Sequence, residues 1–284
     1  MTERGLALVT GASSGMGKAT ALGLLRSGYR VIMLCRDGAR GQAALAELRT
    51  AAGSEAAELL ICDLADLDQV RSAAATVLSR GAPLDLLVNN AGVITLGRRE
   101  TAQGFELQFG VNHLAHFLLT LLLREALMAA PAARIVVVSS GAHKIGRIHL
   151  EDINLRRGYT AWKAYAQSKL ANVLFASELA RSLEGTRARA NSLHPGAVAT
   201  SLGIDRASGF GAGLTRLLRP FFLTSEEGAR TALWLATAPE AAGLNGSYCY
   251  RCRAVPPSKR AADQGMAAAL WRLSREMTGI DGGR

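Results

Sequence analysis

Short, continuous apolar runs alternate along the chain with longer stretches of helical period. Continuous apolar runs are typical of strands that are covered on both faces. These runs predict strands at residues 6–10, 29–35, 58–62, 84–88, 134–139 and 188–193. The longer stretches predict helices at 38–52, 67–80, 105–129 and 161–184, and another that begins at Lys18. Repeated strand–helix–strand units predict an α/β fold, a doubly wound parallel sheet of the Rossmann type, in a single domain over residues 1–284.

Residues 201–224 depart from this alternation. The segment mixes glycines with large apolar side chains, among them Leu217, Phe221 and Phe222. We expect it to form an apolar flap over the substrate site, which would suit an apolar substrate. A subunit contact or a membrane-surface contact is the alternative use of such a segment.

The composition excludes several classes of protein. Of the 284 residues, 49% are hydrophobic and 20% are charged, which excludes a disordered or fibrous chain. The most apolar run, 114–123, is about half of the ~20 residues that a membrane span needs. The residues before Leu6 lack the pattern of a signal peptide. We therefore expect a cytoplasmic protein without stable membrane insertion.

The charge and the cysteines narrow the set of partners. The net charge of +10 comes from basic residues scattered along the chain, without a basic stripe interleaved with aromatic residues, so no nucleic-acid partner is expected. Cys35 and Cys62 end apolar runs and are expected to be buried. Cys249 and Cys252 have CxxC spacing, but no second pair and no nearby histidine completes a zinc site, so no metal is predicted. A redox role for this pair is the alternative to a packing role.

A glycine-rich turn, TGASSGMG at residues 10–17, follows the first predicted strand. Its glycines permit a tight turn and a close approach of backbone N–H groups to a pyrophosphate, and the following helix N-terminus favours negative charge. An ordinary strand–helix turn is the alternative, but the position after the first strand favours phosphate binding. The residues expected to contact the cofactor here are Gly11, Ser13, Ser14, Gly15, Met16 and Gly17.

The ends of the next strands supply the rest of a dinucleotide site. Arg36 lies where such a fold meets the adenosine ribose, and its guanidinium matches a 2′-phosphate, which predicts NADP(H) rather than NAD(H). Asp37 either turns toward a ribose hydroxyl or, as we favour, caps the helix at Gly38. Asp63 either meets the adenine amino group, with Leu64 along the ring, or caps a turn. The small residues after the fourth strand are expected to approach a ribose, and the asparagine amides to tie this turn to the first: Asn90, Ala91 and Gly92.

A tyrosine and a lysine share one helical face. Tyr165 and Lys169 are four residues apart, and a nearby ammonium would lower the pKa of a phenol from its usual value near ~10. Ser139 and Ser140 close the fifth strand, at the edge where a substrate should lie. Asn112 interrupts a helical stretch in which asparagine is unfavourable, which indicates a specific hydrogen-bonding role. The turn after the sixth strand is placed to reach the nicotinamide end of a cofactor, through Pro195, Gly196, Val198 and Thr200.

Taken together, these motifs resemble the short-chain dehydrogenase/reductase family, over nearly the whole chain and in the right order. They are TGxxxGxG, NNAG, Asn112, the serine pair, YxxxK and the Pro-Gly turn. Several segments are similar to the retinol dehydrogenase-like branch of that family: CRD at 35–37, VNHLAHFLLT at 111–120, YAQSKLANVL at 165–174, HPG at 194–196 and LW at 270–271.

The resemblance implies roles for the matched residues. Tyr165 would protonate the carbonyl oxygen during reduction, and Lys169 would lower the pKa of Tyr165 and hold the nicotinamide ribose. Ser140, the second serine of the pair, would bind the substrate oxygen. Asn112 would hold a water that links Lys169 to solvent. Residues 196–200 would fix the carboxamide so that hydride leaves from one face.

The same resemblance predicts a homodimer or homotetramer that assembles through the long helices. The long gap between Ser140 and Tyr165 is expected to form a wall of the substrate pocket, through residues 146–150 and 159–162. Membrane-bound members of the branch carry an apolar N-terminal anchor that is not seen here, which argues against a membrane-borne retinoid. Surface or packing roles are expected for His113, His116, His143 and His149.

These observations predict an NADPH-dependent reductase of an apolar ketone or aldehyde, which in reverse would oxidise the alcohol. A non-catalytic NADP(H)-binding sensor or scaffold is the alternative, although such proteins usually lose the tyrosine or the lysine. A sugar-nucleotide epimerase or dehydratase would show TGxxGxxG spacing and a larger C-terminal region. Neither feature is present.

Overall fold

Seven parallel strands form the central sheet in the computed structural model, which describes residues 4–196 and 223–280. The strands are β1 (Leu6–Thr10), β2 (Arg30–Cys35), β3 (Ala57–Ile61), β4 (Leu86–Asn89), β5 (Arg134–Val138), β6 (Arg189–Leu193) and β7 (Tyr248–Cys249). Their order is β3-β2-β1-β4-β5-β6-β7. The order reverses between β1 and β4, so the carboxyl ends of these two strands are where a doubly wound sheet binds its ligand.

Six of these strands confirm the apolar runs of the sequence, with boundaries that differ by at most two residues. The seventh, β7, is only two residues long, too short to produce a periodic signal. The predicted flap at 201–224 lies outside the described residues except for its last two positions. Of those, Thr224 caps the helix that follows through a reciprocal capping box with Glu227.

Helices connect and cover the strands. They are α1 (Gly15–Arg26), α2 (Gly38–Ala52), α3 (Leu67–Leu78), α4 (Leu107–Phe109), α5 (Ala115–Leu122), α6 (Arg124–Ala129), α7 (Ala161–Ser182), α8 (Ser225–Thr237) and α9 (Gln264–Thr278). Short 3₁₀ turns lie at Gly141–Lys144, Leu150–Asp152 and Pro239–Ala241. Within the described ranges, no helix is both long enough and apolar enough to cross a membrane.

The helix predicted over residues 105–129 is wrong as a single element. A π-helical turn at Gly110–Leu114 separates α4 from α5, and Leu123 (φ −85°, ψ 4°) leaves helical geometry between α5 and α6. The apolar period continues through both breaks because the pieces bury their side chains against the same face of the sheet. The π-helical turn places Asn112 at the site described below.

Both faces of the sheet are buried by helices, as the continuous apolar runs predict. Side chains from α1, α2 and α8 cover one face, including Leu24, Leu48 and Leu235. Those from α3, α5, α6 and α7 cover the other, including Val70 and Phe117. Helix α9 packs on the outer side of α7. The core is thereby closed on both sides, and the functional groups gather at the carboxyl edge.

The two edges of the sheet are protected in different ways. At β3, the Arg49 guanidinium donates to the carbonyl oxygen of Ala57 from Nη2 at 2.8 Å and from Nε at 3.3 Å. At β7, the chain turns back so that the N–H of Val255 donates to the carbonyl oxygen of Tyr248 at 2.8 Å. Cys249 and Ala254 also form an antiparallel bridge. One backbone carbonyl oxygen at the β3 edge and the backbone of β7 therefore have partners from within the chain.

Candidate active site

The turns that follow β1 and β4 are tied together at the point where the strand order reverses. Asn90 Nδ2 donates to the carbonyl oxygen of Thr10 at 2.7 Å. The backbone N–H groups of Asn90 and Ala91 both donate to Thr10 Oγ1 at 2.9 Å. The predicted tie between the two turns is confirmed, and its centre is a threonine hydroxyl that the sequence did not single out.

The glycine-rich turn has the shape that a pyrophosphate needs. Gly11 has φ +69°, in the left-handed region that favours glycine. A Cβ at Gly17 would lie 2.4 Å from the carbonyl oxygen of Gly11 and 2.4 Å from Asn90 Nδ2, so only glycine fits. Helix α1 begins at Gly15, three residues before the predicted start, and the Ser14 side chain makes no capping bond within the described residues. The first N–H groups of α1 are thus presented to an anion.

The end of β2 lies beside this turn. The Ser13 hydroxyl lies close enough to the Cys35 thiol to act on its pKa, which burial raises. Asp37 accepts the N–H of Arg40 at 2.9 Å and so caps α2, as we favoured from the sequence. Arg36 is exposed next to it. Arg40 lies close enough to act electrostatically on Cys35 and adds a second cation that the sequence analysis missed. The sequence feature that could have identified Arg40 is its position one helical turn after Asp37, which caps the helix.

The end of β3 bears the residues predicted for adenine. Asp63 Oδ1 accepts the N–H of Ala65 at 3.0 Å, so the turn-capping interpretation of this carboxylate is confirmed. Leu64 is buried. Ile61, which is 48% exposed, adds an apolar side chain at this strand end that the sequence did not mark. A contact between Asp63 and an adenine amino group stays a prediction.

Helix α7 carries Tyr165 and Lys169 on one face, and Thr160 caps its start by accepting the N–H of Lys163 at 3.1 Å. Lys169 is only 3% exposed. Its Nζ donates to the carbonyl oxygen of Val138 at 3.2 Å and lies 5.7 Å from the centroid of the Tyr165 ring. The predicted pairing of phenol and ammonium on one face is therefore present.

Burial dominates the electrostatics of this pair. It lowers the pKa of Lys169 to about 8, because the ammonium is taken out of water. It raises the pKa of Tyr165, and of the described groups the Ser140 hydroxyl opposes that rise by hydrogen bonding. The expectation that Lys169 brings the pKa of Tyr165 below its usual value is thus wrong for the protein alone. Desolvation of the phenolate outweighs the opposing effect of Ser140.

The two serines after β5 have different partners. Ser139 is buried, and its Oγ donates to the backbone carbonyl oxygen of Lys169 at 2.6 Å. Ser140 is partly exposed and lies close enough to the Tyr165 phenol to oppose the rise in its pKa, and its Oγ also accepts the N–H of Ala142 at 3.2 Å. Ser139 therefore braces α7, while Ser140 faces the phenol.

Asn112 is held by two parts of the chain. Its Oδ1 accepts the N–H of Val93 at 2.7 Å, and its Nδ2 donates to the carbonyl oxygen of Val93 at 3.0 Å and to Ser168 Oγ at 2.9 Å. A Cβ at Gly92 would lie 3.4 Å from both Asn112 Oδ1 and Lys169 Nζ, so these polar atoms face a common point. The specific hydrogen-bonding role predicted for Asn112 is confirmed. A water held between Asn112 and Lys169 stays a prediction.

The turn after β6 is braced by an aromatic stack. The N–H of Gly196, next to Pro195, donates to His194 Nδ1 at 3.2 Å. The His194 ring stacks on Tyr250 with 4.0 Å between centroids. Burial lowers the pKa of His194 to about 4, so the ring is neutral near pH 7. Val198 and Thr200, also predicted to contact the cofactor, lie outside the described residues.

The family of this chain follows from comparison with known proteins. The sequence profile of the short chain dehydrogenases matches residues 5–209. The chain belongs to the short-chain dehydrogenase family.

Similar proteins place this short-chain dehydrogenase in the retinol dehydrogenase-like branch. Retinol dehydrogenase 14 of Mus musculus is 44% identical over 291 residues, which cover 96% of this chain and 85% of that protein. A crystal structure of an uncharacterized protein from Mycobacterium paratuberculosis has a TM-score of 0.79 and 40% identity, covering 98% of this chain and 94% of that one. A short chain dehydrogenase from Escherichia coli CFT073, complexed with NADPH, has a TM-score of 0.68 and 25% identity, covering 87% and 95%.

The long connection before α7 lies beside the tyrosine of this short-chain dehydrogenase. A Cβ at Gly146 would be 2.4 Å from the carbonyl oxygen of Ala166, so the connection packs directly on α7. The Tyr159 hydroxyl donates to the carbonyl oxygen of Thr95 at 3.1 Å, which joins the connection to the loop after β4. Trp162 is 65% exposed and meets the Tyr165 ring edge-on, 6.3 Å between centroids.

Other sequence candidates of the dehydrogenase have packing roles. Cys35, Cys62 and Cys249 are buried, and burial raises the pKa of Cys249 to about 12. Cys249 and Cys252 are both free thiols, and Cys252 lies at φ +55° in a tight turn with Arg251 at φ +50°. A thiol with so high a pKa forms little thiolate, which favours packing over redox chemistry for the CxxC pair. Of the four histidines for which surface or packing roles were expected, three are also buried: His113, His116 and His143.

The residues present fit a nicotinamide dinucleotide, the cofactor class of this family. The site offers a glycine turn with a helix N-terminus for phosphates, a cationic corner at the end of β2, and a phenol and an ammonium at the far end. This arrangement can bind a charged dinucleotide and deliver a proton from Tyr165 to a substrate oxygen.

Proposed function

We propose that this oxidoreductase uses NADPH to reduce the carbonyl group of an apolar ketone or aldehyde, and in reverse oxidises the corresponding alcohol. The observation that carries the proposal is the convergence of Ser140, Tyr165 and Lys169 at the carboxyl edge of the sheet. A hydroxyl donor, a proton donor and a buried cation are what carbonyl reduction requires from the protein.

Each residue has a distinct part. When bound, the reduced dinucleotide supplies the hydride. Ser140 donates a hydrogen bond to the carbonyl oxygen and orients it, and Tyr165 transfers its phenolic proton to that oxygen as negative charge develops there. Lys169 holds the nicotinamide ribose. Asn112 fixes the backbone beside Lys169, where a water would return a proton from solvent.

The preference for NADP(H) is proposed from the corner at the end of β2. Arg36 and Arg40 offer two cations there, while Asp37 is engaged as the cap of α2. The NADPH complex of the Escherichia coli relative supports the same choice. We expect Arg36→Ala to raise KM for NADPH about tenfold or more and to leave KM for NADH within about threefold. Arg26→Ala is the control, because Arg26 ends α1, at the end of that helix away from the glycine-rich turn. A wild-type preference for NADH would contradict the proposal.

An apolar substrate is proposed from the side chains around the long connection before α7. Ile145 and Trp162 are 70% and 65% exposed, and Leu150 is 38% exposed. The relatives named retinol dehydrogenases take their name from an apolar alcohol. In a series of straight-chain aldehydes, we expect kcat/KM to rise about fourfold for each added methylene, because burying one such group contributes about 0.8 kcal/mol. A flat series would refute the apolar assignment.

The test of the reaction itself is Tyr165→Phe. It removes only the phenolic oxygen, so we expect kcat on any reduced carbonyl to fall about 1000-fold or more while the cofactor dissociation constant stays unchanged. Tyr29→Phe, before β2, is the matched control. Equal turnover by wild type and Tyr165→Phe would refute the proton donor. Cofactor binding without turnover of any carbonyl by the wild type would favour the sensor or scaffold alternative.

A homodimer or homotetramer and a cytoplasmic location stay predictions. Light scattering on the purified protein would give the mass of the assembly. A monomer over the working concentration range would contradict the first of these predictions.

A further inference from the structure

His116 lies fully buried between two parts of the site, one helical turn after Asn112. Its Nε2 is 2.9 Å from Thr10 Oγ1, and its Nδ1 is 3.1 Å from the backbone carbonyl oxygen of Asn112. The proposed chemistry gives this ring no part. We propose that His116 is a positioning residue that joins the phosphate-binding turn to the Asn112 turn. The inference rests on the proposed function, because both turns serve the bound dinucleotide.

The two bonds determine which ring nitrogen carries the proton. A carbonyl oxygen only accepts, so Nδ1 is protonated and donates to Asn112. Nε2 is then an acceptor, and the Thr10 hydroxyl donates to it. Burial lowers the pKa of His116 to about 4, and the charge of Lys169 acts in the same direction. The neutral ring that this arrangement needs is therefore the form present near pH 7.

The Thr10 hydroxyl depends on His116 for its orientation. Its oxygen already accepts the N–H groups of Asn90 and Ala91. Its proton can go to His116 Nε2 at 2.9 Å or to the carbonyl oxygen of Val88 at 3.4 Å, and the longer contact is the weaker one. By taking that proton, His116 keeps the lone pairs of Thr10 aimed at the turn after β4, next to Gly11.

The bond between His116 Nδ1 and the backbone carbonyl oxygen of Asn112 links the ring to the part of the site around Lys169. The Asn112 side chain bonds to Val93 and Ser168. The backbone carbonyl oxygen of Asn112 accepts from His116, and this bond fixes the backbone of the π-helical turn. Gly92, between Ala91 and Val93, faces Asn112 Oδ1 and Lys169 Nζ at the same time. One imidazole thus braces the phosphate turn and the surroundings of the lysine.

The variants separate positioning from packing. His116→Phe keeps a ring but removes both hydrogen bonds, whereas His116→Gln keeps one N–H donor and one carbonyl acceptor. His113→Phe is the matched control, because His113 is 1% exposed but bonds to Ser274 Oγ of α9 at 2.9 Å, away from the phosphate turn. Each protein is tested for the dissociation constant of NADPH by fluorescence, without substrate, and for its melting temperature, kcat and KM.

We expect His116→Phe to weaken NADPH binding about tenfold, in line with the loss of two hydrogen bonds between the turns, and to raise KM for NADPH more than it lowers kcat. His116→Gln should recover binding to within about threefold of wild type, since it restores one donor and one acceptor. His113→Phe should lower the melting temperature and leave NADPH binding unchanged.

Unchanged NADPH binding by folded His116→Phe, or equal weakening by His113→Phe, overturns the proposal. Nitrogen-15 NMR of the imidazoles in the ligand-free wild type gives a second test that needs no variant. A proton on Nε2 of His116, rather than on Nδ1, also overturns it. NADPH binding and imidazole NMR do not require turnover. Failure to reduce any carbonyl would therefore refute the proposed function, while these two measurements would still test the role of His116.

Discussion

Lys169 carries its ammonium group in the protein interior, where burial lowers its pKa from 10.5 to about 8. At about 1.4 kcal/mol per pKa unit, this difference corresponds to about 3 kcal/mol of destabilisation while the group stays charged. Lys169→Met keeps a long, flexible side chain and removes the charge. The same change removes the group that we propose holds the nicotinamide ribose, so we expect a more stable protein with little activity.

The hydrogen bond that the variant loses is a smaller quantity. Lys169 Nζ donates to the carbonyl oxygen of Val138, and a bond of this kind contributes about 1 kcal/mol. That carbonyl keeps a second donor, Asn172 Nδ2 at 3.0 Å, so it is not left unpaired in the variant. The net expectation near pH 7 is a gain of about 2 kcal/mol in the free energy of unfolding.

The gain depends on pH in a defined direction. The folded chain releases the Lys169 proton near pH 8, whereas the unfolded chain keeps it to about pH 10.5. Unfolding therefore takes up a proton between these values, and the stability of the wild type rises with pH across that window. The advantage of Lys169→Met should be full below about pH 8 and should shrink as the pH rises toward 10.5.

Urea unfolding at about pH 7 and about pH 9.5, followed by tryptophan fluorescence, measures both quantities. Lys163→Met is the matched control, because Lys163 lies in the same helix but only partly buried, with Nζ 3.5 Å from the carbonyl oxygen of Gly158. A Lys169→Met variant that is less stable than wild type near pH 7 would refute the reasoning. So would an advantage that stays constant with pH.

Two further pairs of variants test the site. In Gly17→Ala, the new Cβ would lie 2.4 Å from backbone, so we expect a loss of about 1–3 kcal/mol in unfolding free energy and weaker NADPH binding. Gly23→Ala, in the same helix, is the control, because its new Cβ would meet only the end of the Leu233 side chain. It should change the unfolding free energy by less than about 1 kcal/mol and leave NADPH binding unchanged. Equal effects of the two substitutions would contradict the conclusion that only glycine fits at position 17. Ser140→Ala should lower kcat about 100-fold with little change in melting temperature. Ser139→Ala should instead lower the unfolding free energy by about 1–2 kcal/mol, since it removes a buried bond, and the reverse pattern would contradict the assignment of the two serines.

The sheet and the Tyr165–Lys169 face could be predicted because each depends on local spacing. A strand that is buried on both faces has a continuous apolar sequence, and two residues four apart on a helix must share a face. The capping role of Asp37 was predictable for the same reason, since an aspartate before a helix start has a near partner three residues on.

Features set by tertiary packing could not be predicted. The breaks around Asn112 and Leu123 leave the apolar period intact. The pattern therefore predicted one helix, where the chain forms α4, a π-helical turn, α5 and α6. The rise in the pKa of Tyr165 depends on how deeply the folded chain buries the phenol. The link from Thr10 to His116 joins residues 106 positions apart, which no local pattern records.

The protected edges of the sheet constrain how copies of the chain can assemble. A bare edge strand invites a second molecule to continue the sheet by main-chain pairing. Here a guanidinium engages backbone at the β3 edge, and a hairpin return lines β7. A second strand would have to displace the guanidinium or the hairpin return before it could pair there, which favours helical surfaces as the contacts of any dimer or tetramer.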